Sequence, residues 1–360
     1  MNLSTTTKHA AVRRRLEDAI RDGEFVAGEQ LPGEHILAER YGVSYMTARK
    51  AVQDLVQSEM VERRARTGTF VRAHSVVRLQ KKTLNLVTYD YNGAWQRKFV
   101  AHGIHLAERE GWNANVIRLT PGQQEPAIRA INNGELVIVF VEELVAESAL
   151  AVAMRGAKGR AVLIDCTLSN EGIPSVNYDL RESIELAWNR LVRAGHTKIG
   201  CVVQTPTDIN TVTQIGHWRE CAARLAEATS IDHRLIEVET PKFHSPCVAA
   251  MRALTAYFAA PISDATALIC LGDEMTLGVI KAAHDASRHV SVINIGDSPL
   301  LEVSVPSVTC VDADIEEQMN CAVRVLKLPR YKIALDDMRQ LVKPHIIERQ
   351  SVFELRSSSS

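Results

Sequence analysis

The chain has few cysteines, and none of them is arranged in a known disulfide or metal-binding pattern. The 360 residues include seven cysteines, an odd number, and no two of them form a CxxC pair. Most lie among apolar neighbours, which is typical of reduced, buried thiols in a cytosolic protein. We therefore expect neither disulfides nor a metal site at these positions: Cys166, Cys201, Cys221, Cys247, Cys270, Cys310 and Cys321.

Long apolar runs are also missing. No stretch reaches the roughly 18 consecutive apolar residues of a membrane-spanning helix. The N-terminus, MNLSTTTKHAAVRRRLEDAI, is polar, and its first apolar pattern is amphipathic, so it does not resemble a signal peptide. These absences predict a cytoplasmic protein and argue against a secreted one.

Net charge is close to zero, with 42 basic and 43 acidic residues, but the charges are unevenly distributed. Residues 1–82 contain 15 Lys/Arg and 10 Asp/Glu, whereas the remainder contains 27 and 33. A basic module on a mildly acidic body is expected if only the front of the chain meets a polyanion. The length, with 46% hydrophobic residues, predicts two or three domains.

Three short helices are predicted in the front module. Apolar residues recur at helical spacing over 8–22 and again within 42–58, where Ala48, Ala51, Val52, Leu55 and Val56 form one stripe. Between them, Pro32 and Gly33 open a short predicted helix that carries Ile36, Leu37 and Tyr41, and Gly42 fits its C-terminal turn. Ser44 can cap the helix that follows. Two helices joined by a glycine turn constitute a helix-turn-helix pattern.

Polar residues at the start of the third helix indicate DNA binding. The first turns of a recognition helix reach base edges in the major groove, which would be the role of Tyr45, Thr47, Arg49 and Lys50. The following stretch, MVERRARTGTFV, predicts two short strands whose basic residues, Arg63, Arg64 and Arg66, can lie along DNA phosphates or in the minor groove. The alternative interpretation is a solvated charged face.

The run LPGEHILAERYGVSYMTARKAVQDLVQSEMVERRARTGTFV resembles the winged helix-turn-helix of GntR-family transcription regulators over about 65 residues. Three positions depart from the family pattern, since His35, Tyr45 and Arg66 replace two arginines and a wing glycine. The resemblance implies that the docking mode is retained while the operator sequence differs. The implied DNA-binding residues are His35, Ser44, Tyr45, Thr47, Arg49, Lys50, Arg64, Arg66 and Gly68.

Residues after 82 alternate between β-branched runs and helical stretches, in two successive series. Such alternation predicts two doubly wound lobes with parallel sheets. Ligands of such folds bind outside the carboxyl ends of the strands or in the cleft between the lobes. The predicted fold class is therefore α/β with a small α+β head. We place a winged helix-turn-helix domain at 1–73, a linker at 74–82 and a two-lobed effector-binding and dimerisation domain at 83–355.

Ordered motifs in this body are similar to the effector domain of LacI-family regulators, itself akin to periplasmic sugar-binding proteins. They include YDLRESIELAWNRLVRAGHTKIGCV, ALICLGDEMTLGVIKAA, SVINIGDSP and PHIIERQS. His196, in the GH pair of the first motif, follows a helix and precedes a strand, so a structural role is expected for it. A GntR-type head on a LacI-type body resembles the arrangement of bacterial arabinose repressors.

The resemblance implies a ligand pocket that retains only part of the family's pattern. Its residues would be Tyr91, Trp95, Asp165, Gln214, Phe243, Asp273 and Asp297. Gln214 replaces the family's sugar-binding arginine, while Gly272 and Gly296 replace an asparagine and an aspartate. Since Gln214 removes a fixed positive charge, a neutral sugar or polyol is favoured over an anion. The alternative is a pocket that no longer binds a ligand.

The sequence thus predicts a homodimeric transcription regulator that binds double-stranded DNA and a small molecule. A repressor is favoured over an activator. A solute-binding protein is disfavoured because of the basic head. An enzyme is disfavoured because no catalytic residues, phosphate loop, cofactor site or metal cluster are recognisable; in particular, the paired-lobe motifs do not fit the aminotransferase-like bodies found on some GntR-type heads.

Overall fold

The computed structural model describes residues 8–21, 24–65, 67–72, 82–89, 93–120, 122–141, 144–157, 159–225, 231–240, 244–328 and 338–355. The chain divides into two units, Met1–Lys82 and Thr83–Ser360, which we call the head and the body. Residues 74–81 of the predicted linker lie outside the described residues, as do the predicted site residues Arg66, Tyr91 and Phe243.

The head contains three helices followed by a two-stranded antiparallel sheet. Their bounds are α1 Lys8–Arg21, α2 Glu34–Tyr41, α3 Tyr45–Gln57, β1 Val61–Arg64 and β2 Gly68–Val71. The predicted apolar stripes meet in one core, where Leu16 of α1 and Leu55 of α3 are fully buried. Of the predicted α3 stripe, Val56 alone is partly buried. Gly42 ends α2 in the left-handed conformation, at φ 64°, which glycine adopts without steric cost.

The body contains two six-stranded sheets, one in each lobe. In the N-terminal lobe the strand order is β13-β7-β6-β5-β3-β4, and every pairing is parallel. These strands are β3 Thr83–Tyr89, β4 Asn113–Leu119, β5 Leu136–Phe140, β6 Ala161–Ile164, β7 Ser175–Tyr178 and β13 Arg339–Val342. Helices on its two faces are α4 Ala94–Arg109, α5 Glu125–Asn132, α6 Ala149–Ala157 and α12 Ile315–Lys327.

In the C-terminal lobe the order is β14-β12-β11-β10-β8-β9, parallel except where β14 pairs with β12. The strands are β8 Ile199–Thr205, β9 Leu235–Glu239, β10 Ala267–Cys270, β11 Ser291–Ile295, β12 Thr309–Asp312 and β14 His345–Ile347. Its helices are α7 Leu180–Arg193, α8 Ile209–Arg224, α9 Pro246–Ala259, α10 Asp273–Asp285 and the short α11 Pro299–Glu302. The predicted pair of doubly wound lobes is confirmed.

The chain crosses between the lobes three times: after β7, after β12, and between β13 and β14. Two of these crossings are tied together, because Asp179 N donates to Val342 O at 3.1 Å. The sequence alternation did not predict that α12 returns to the N-terminal lobe, where Ile315 and Met319 join its core. Since parallel strands point their carboxyl ends to one edge, each lobe presents loops to the cleft.

Candidate functional site

The start of α3 is fixed by a serine cap. Thr47 N donates to Ser44 Oγ at 3.2 Å, and the two hydroxyl oxygens lie 2.8 Å apart. Ser44 therefore stabilises the helix as well as lying at the predicted interface. Beyond the cap, Arg49 is exposed and forms no ion pair with any described residue, whereas the exposed Lys50 pairs with Asp54 at 3.0 Å.

Two of the positions that depart from the GntR pattern lie against each other. The rings of His35 in α2 and Tyr45 in α3 stack with centroids 4.4 Å apart and planes 25° apart. Met46, beside them, is 65% exposed. The head thus presents an aromatic and apolar surface next to Arg49, where the family pattern has two arginines. Sequence reasoning identified both residues but did not predict their contact.

Basic residues of the wing are partly neutralised within the head. Arg63 contacts Glu34 at 2.6 Å, and Arg64 contacts Glu62 at 2.8 Å while its guanidinium lies 4.4 Å from the ring centroid of Phe70. The arginines of these pairs are exposed and the carboxylates partly exposed, so the pairs add little stability and can be exchanged for phosphates. Arg63 and Arg64 can bind DNA phosphates only if they first separate from the carboxylates of Glu34 and Glu62.

Gly68 begins the second wing strand in a backbone conformation that favours glycine. Its φ is 124°, and a Cβ there would lie 2.3 Å from Gln30 Nε2. That amide donates to Thr67 O at 2.7 Å and so ties the wing to the segment before α2. The role of Gly68 in this geometry is to shape the wing.

In the body, Trp95 extends from the N-terminal lobe to the C-terminal lobe. Its ring stacks on that of Tyr178, with centroids 6.3 Å apart and planes 14° apart. A Cβ on Gly296 would lie 2.9 Å from Trp95 Nε1, and Gly296 has a φ of 97°. The glycine that replaces the family aspartate therefore makes room for the indole.

Gln214 faces a tyrosine rather than an open cleft. It is only 4% exposed, and its Nε2 donates to Tyr178 Oη at 3.2 Å and lies 3.5 Å from Ser183 Oγ. Burial, together with the negative charges of Asp165 and Asp208, raises the pKa of the Tyr178 hydroxyl well above its usual range. Tyr178 therefore stays neutral. Sequence reasoning did not identify it.

Asp165 lies at the end of β6 and has a φ of 65°, in the left-handed region that few non-glycine residues adopt. From the other lobe, Asn210 Nδ2 donates to Asp165 O at 2.7 Å and to its Oδ1 at 3.1 Å. Asn210 was not predicted as a site residue. Its position after Asp208, the cap of α8, contained no signal for this role.

The remaining two predicted aspartates follow β10 and β11. Asp273 begins α10, and its Oδ2 is buried without a hydrogen-bond partner among the described residues. Asp297 binds Arg349 Nη1 at 2.8 Å. Although burial opposes ionisation, Arg349 and, at longer range, Lys98 hold the pKa of Asp297 below its usual value. Arg349 belongs to the PHIIERQS motif, but its pairing was not predicted.

These contacts bring together four of the predicted pocket residues with partners from both lobes. Trp95 and Gln214 both contact Tyr178. Asp165 accepts hydrogen bonds from Asn210. Asp297 forms an ion pair with Arg349. Asp273 retains a buried acceptor, its Oδ2, that has no hydrogen-bond partner among the described residues. The arrangement suits hydrogen bonding to a small ligand. The described residues contain no group of three or more His, Cys, Asp or Glu that could hold a metal ion.

Two family models match separate parts of the chain. The model described as bacterial regulatory proteins, gntR family, matches residues 8–71, and that of a periplasmic binding protein-like domain matches residues 188–352. The HTH-type transcriptional regulator MalR of Streptomyces coelicolor is 29% identical over 237 residues, which cover 61% of this chain and 65% of MalR. The matched region thus spans less than two thirds of that relative.

A second relative matches a shorter stretch. The mannosyl-D-glycerate transport/metabolism system repressor MngR of Escherichia coli is 35% identical over 72 residues, which cover 19% of this chain and 30% of MngR. Both relatives are transcription regulators and not enzymes.

Solved structures share the fold of the body. A LacI family transcriptional regulator from Arthrobacter sp. FB24, in complex with lactose, has a TM-score of 0.60 at 19% identity and covers 76% of this chain and 99% of that one. One from Enterococcus faecium with bound ribose has a TM-score of 0.60 at 16% identity, with 76% and 100% covered.

Among the helices that the structure describes, none is long and apolar enough to cross a membrane. The helix-turn-helix geometry, the wing and the paired lobes agree with the two family matches. Residues 8–71 therefore match the gntR family of bacterial regulatory proteins and residues 188–352 match a periplasmic binding protein-like domain, and the body shares its fold with solved LacI-family regulators.

Proposed function

We propose that the chain is a cytoplasmic, homodimeric transcription repressor whose affinity for operator DNA is controlled by a small, neutral, sugar-like molecule bound between the lobes. The observation that carries this proposal is the exposed Arg49, which has no ion pair among the described residues and lies on a capped helix beside a wing, in the same chain as a two-lobed cleft. The first feature suits DNA, and the second suits a regulatory ligand.

The head would read DNA mainly through α3. Arg49 can donate two parallel hydrogen bonds to a guanine edge, while the stacked His35 and Tyr45 offer an aromatic surface to neighbouring bases or methyl groups. Lys50 and the wing arginines would contact phosphates after releasing their carboxylate partners. Because His35 and Tyr45 replace two arginines of the family pattern, we expect an operator sequence different from those of relatives that keep the arginines.

The chemistry of the cleft favours a neutral polyhydroxylated effector. Carboxylate oxygens of Asp165 and Asp273 accept hydrogen bonds from hydroxyl groups, and the indole of Trp95 can pack against the apolar face of a sugar ring. Gln214 supplies no positive charge, so an anionic effector would lack a counter-ion there. The lactose and ribose bound by two structural neighbours support the same class.

A regulator whose cleft has lost its ligand is the second candidate. It is favoured by the number of cleft side chains already bonded to each other, such as Asp297 with Arg349 and Gln214 with Tyr178. Activation of transcription instead of repression remains the alternative mode for either candidate.

The test begins with the full chain and a random-sequence DNA library. Rounds of selection are expected to enrich an inverted repeat. The affinity of the protein for this DNA is then measured in the presence of each member of a panel of sugars and polyols. A thermal-shift screen with the same panel identifies ligands, since a ligand at 100 times its Kd stabilises a protein by about 2.7 kcal/mol. Failure to enrich any sequence would overturn the DNA-binding proposal. A bound ligand that leaves operator affinity unchanged would overturn the control mechanism.

A further inference from the structure

One face of α8 contacts the ends of two neighbouring strands in the opposite lobe. Asn210 and Gln214 are four residues apart, so their side chains lie on the same side of the helix. Asn210 bonds Asp165, which follows β6, and Gln214 bonds Tyr178, the last residue of β7. β6 and β7 are adjacent, with Ile164 opposite Val176. The distance between Asn210 and Gln214 along α8 thus matches the distance between the ends of β6 and β7, so each side chain contacts one strand end.

Asn210 holds Asp165 by two acceptors at once. Its amide donates to the backbone carbonyl at 2.7 Å and to the carboxylate at 3.1 Å. These bonds fix both the left-handed backbone of Asp165, at φ 65°, and the direction of its carboxylate. A carboxylate has about four acceptor sites on its two oxygens, so Asn210 orients Asp165 without occupying its whole capacity.

Like that of Asn210, the side-chain amide of Gln214 makes its hydrogen bonds within the protein. At 4% exposure, its amide group is directed to the hydroxyls of Tyr178 and Ser183. Removing it would leave the hydroxyl of the partly buried Tyr178 without this donor. Its contacts therefore assign it to the junction between lobes, although it occupies the position of the family's sugar-binding arginine.

We infer that Asn210 and Gln214 form an interlobe lock, which stabilises the closed arrangement of the lobes and positions Asp165 toward the effector. Asn210 is a positioning residue in this scheme, and Gln214 is part of the lock instead of an effector contact. A net hydrogen bond of typical strength shifts an equilibrium about five-fold, so the bonds of the lock favour closure substantially. The inference deepens the proposed control by an effector and rests on it.

Trp95 provides a way to measure the lock with neither effector nor DNA. The four tryptophans, at positions 95, 112, 188 and 218, all lie in the body. Trp95 packs on Tyr178 and against Gly296 of the other lobe, so opening of the cleft exposes its ring. Acrylamide quenching is measured for each protein and for its Trp95→Phe counterpart, and the difference isolates Trp95.

The expected result is that Asn210→Ala raises the quenching constant of Trp95 at least about two-fold, because the cleft opens more often once this bond is lost. Asn210→Asp should raise it further, since it keeps the size of the side chain but opposes Asp165 with a second carboxylate. The matched control is Asn320→Ala, which breaks the exposed bond from Arg109 to Asn320 between α4 and α12 of the N-terminal lobe. It should leave the quenching constant unchanged.

Unchanged quenching in both Asn210 variants would overturn the lock, and so would an equal increase in Asn320→Ala. Increased quenching of the other three tryptophans, seen in the Trp95→Phe counterparts, would indicate general loosening of the body and would also contradict it. Operator binding is measured separately on the same proteins. A failed lock with intact operator binding therefore leaves the proposed function standing.

Discussion

At the residue scale, two neighbouring basic side chains of the head differ in their ion pairing. Arg49 is unpaired among the described residues, and Lys50 is paired with Asp54. We expect Arg49→Ala to weaken binding to the selected operator by about 1–3 kcal/mol, because a bidentate contact to a base is lost. Binding to unrelated DNA should change much less. Fluorescence anisotropy with both DNAs measures the difference.

Lys50→Ala serves as the comparison for Arg49→Ala. If Lys50 contacts a phosphate, its loss should weaken binding to all sequences and reduce the slope of affinity against salt by about one. Identical affinities for Arg49→Ala and the unmodified chain, with the fold intact, would contradict the proposed docking of α3.

The same scale applies to the carboxylate of Asp165. We expect Asp165→Ala to abolish the response to an identified effector while basal operator binding remains, because an acceptor held in place by Asn210 disappears. Asp165→Asn retains an acceptor and tolerates the left-handed backbone, so it should keep part of the response. Operator release is titrated with effector for each variant. A normal response in Asp165→Ala would contradict the proposed pocket.

At the scale of elements, α9 and α10 pack unusually closely at one glycine. A Cβ on Gly278 would lie 2.1 Å from Cys247 O and 2.8 Å from Met251 N. We expect Gly278→Ala to destabilise the body by about 1–3 kcal/mol, since α10 must move away from backbone atoms that cannot rotate aside. Urea unfolding followed by tryptophan fluorescence reports on the body.

Gly216, inside α8, is the matched control for Gly278. Nothing lies within 4 Å of a Cβ placed there. Gly216→Ala should therefore stabilise the body by about 0.5–1 kcal/mol through helix propensity. Equal effects of the two substitutions would show that close packing of α9 and α10 is not the cause.

His196 joins three segments of the C-terminal lobe. Nδ1 lies 3.0 Å from Thr266 Oγ1, and Nε2 lies 2.9 Å from Ser291 Oγ and 3.1 Å from Phe353 O. The predicted structural role agrees with these contacts. Burial lowers the pKa of His196, although the carbonyl of Phe353 opposes this effect. The unfolded chain, in which the pKa is about 6.5, therefore takes up the proton more readily.

This difference predicts how stability depends on pH. The contribution of neutral His196 is present above the unfolded pKa of about 6.5 and is lost as the pH falls through the lower folded value. His196→Gln should be less stable at pH 7.5 by about 1–3 kcal/mol, and its stability should fall less between pH 7.5 and 5. The control is His284→Gln on the exposed surface of α10. A slope in His196→Gln equal to that of the unmodified chain would contradict the assignment.

At the scale of the whole molecule, the proposed regulator should assemble through its body. We expect a dimer of twice the 39.8 kDa chain mass by light scattering, because pairing two heads across an inverted repeat multiplies the few contacts of one head. A fragment of residues 1–82, which forms its own unit with its own core, should fold and bind the operator much more weakly. Equal affinity of the full chain for one half-site and for the inverted repeat would contradict dimeric binding.

Much of the fold was predictable from local signals. Apolar residues spaced three and four apart predicted α1 and α3, and the stretch MVERRARTGTFV predicted both wing strands. In the body, repeated strand and helix patterns predicted two parallel sheets. These features follow from neighbouring residues, whose periodicity is set by the geometry of helices and strands.

The sequence by itself thus determined that a helix-turn-helix head precedes a body of two parallel-sheet lobes. Only the tertiary structure decided which of these residues meet: His35 with Tyr45, Asn210 with Asp165, Gln214 with Tyr178, Asp297 with Arg349 and Trp95 with Gly296. Asn210 and Asp165 are 45 residues apart, and Asp297 and Arg349 are 52 apart. Such contacts depend on how the chain crosses between lobes and on which strands become neighbours, and no local periodicity encodes either.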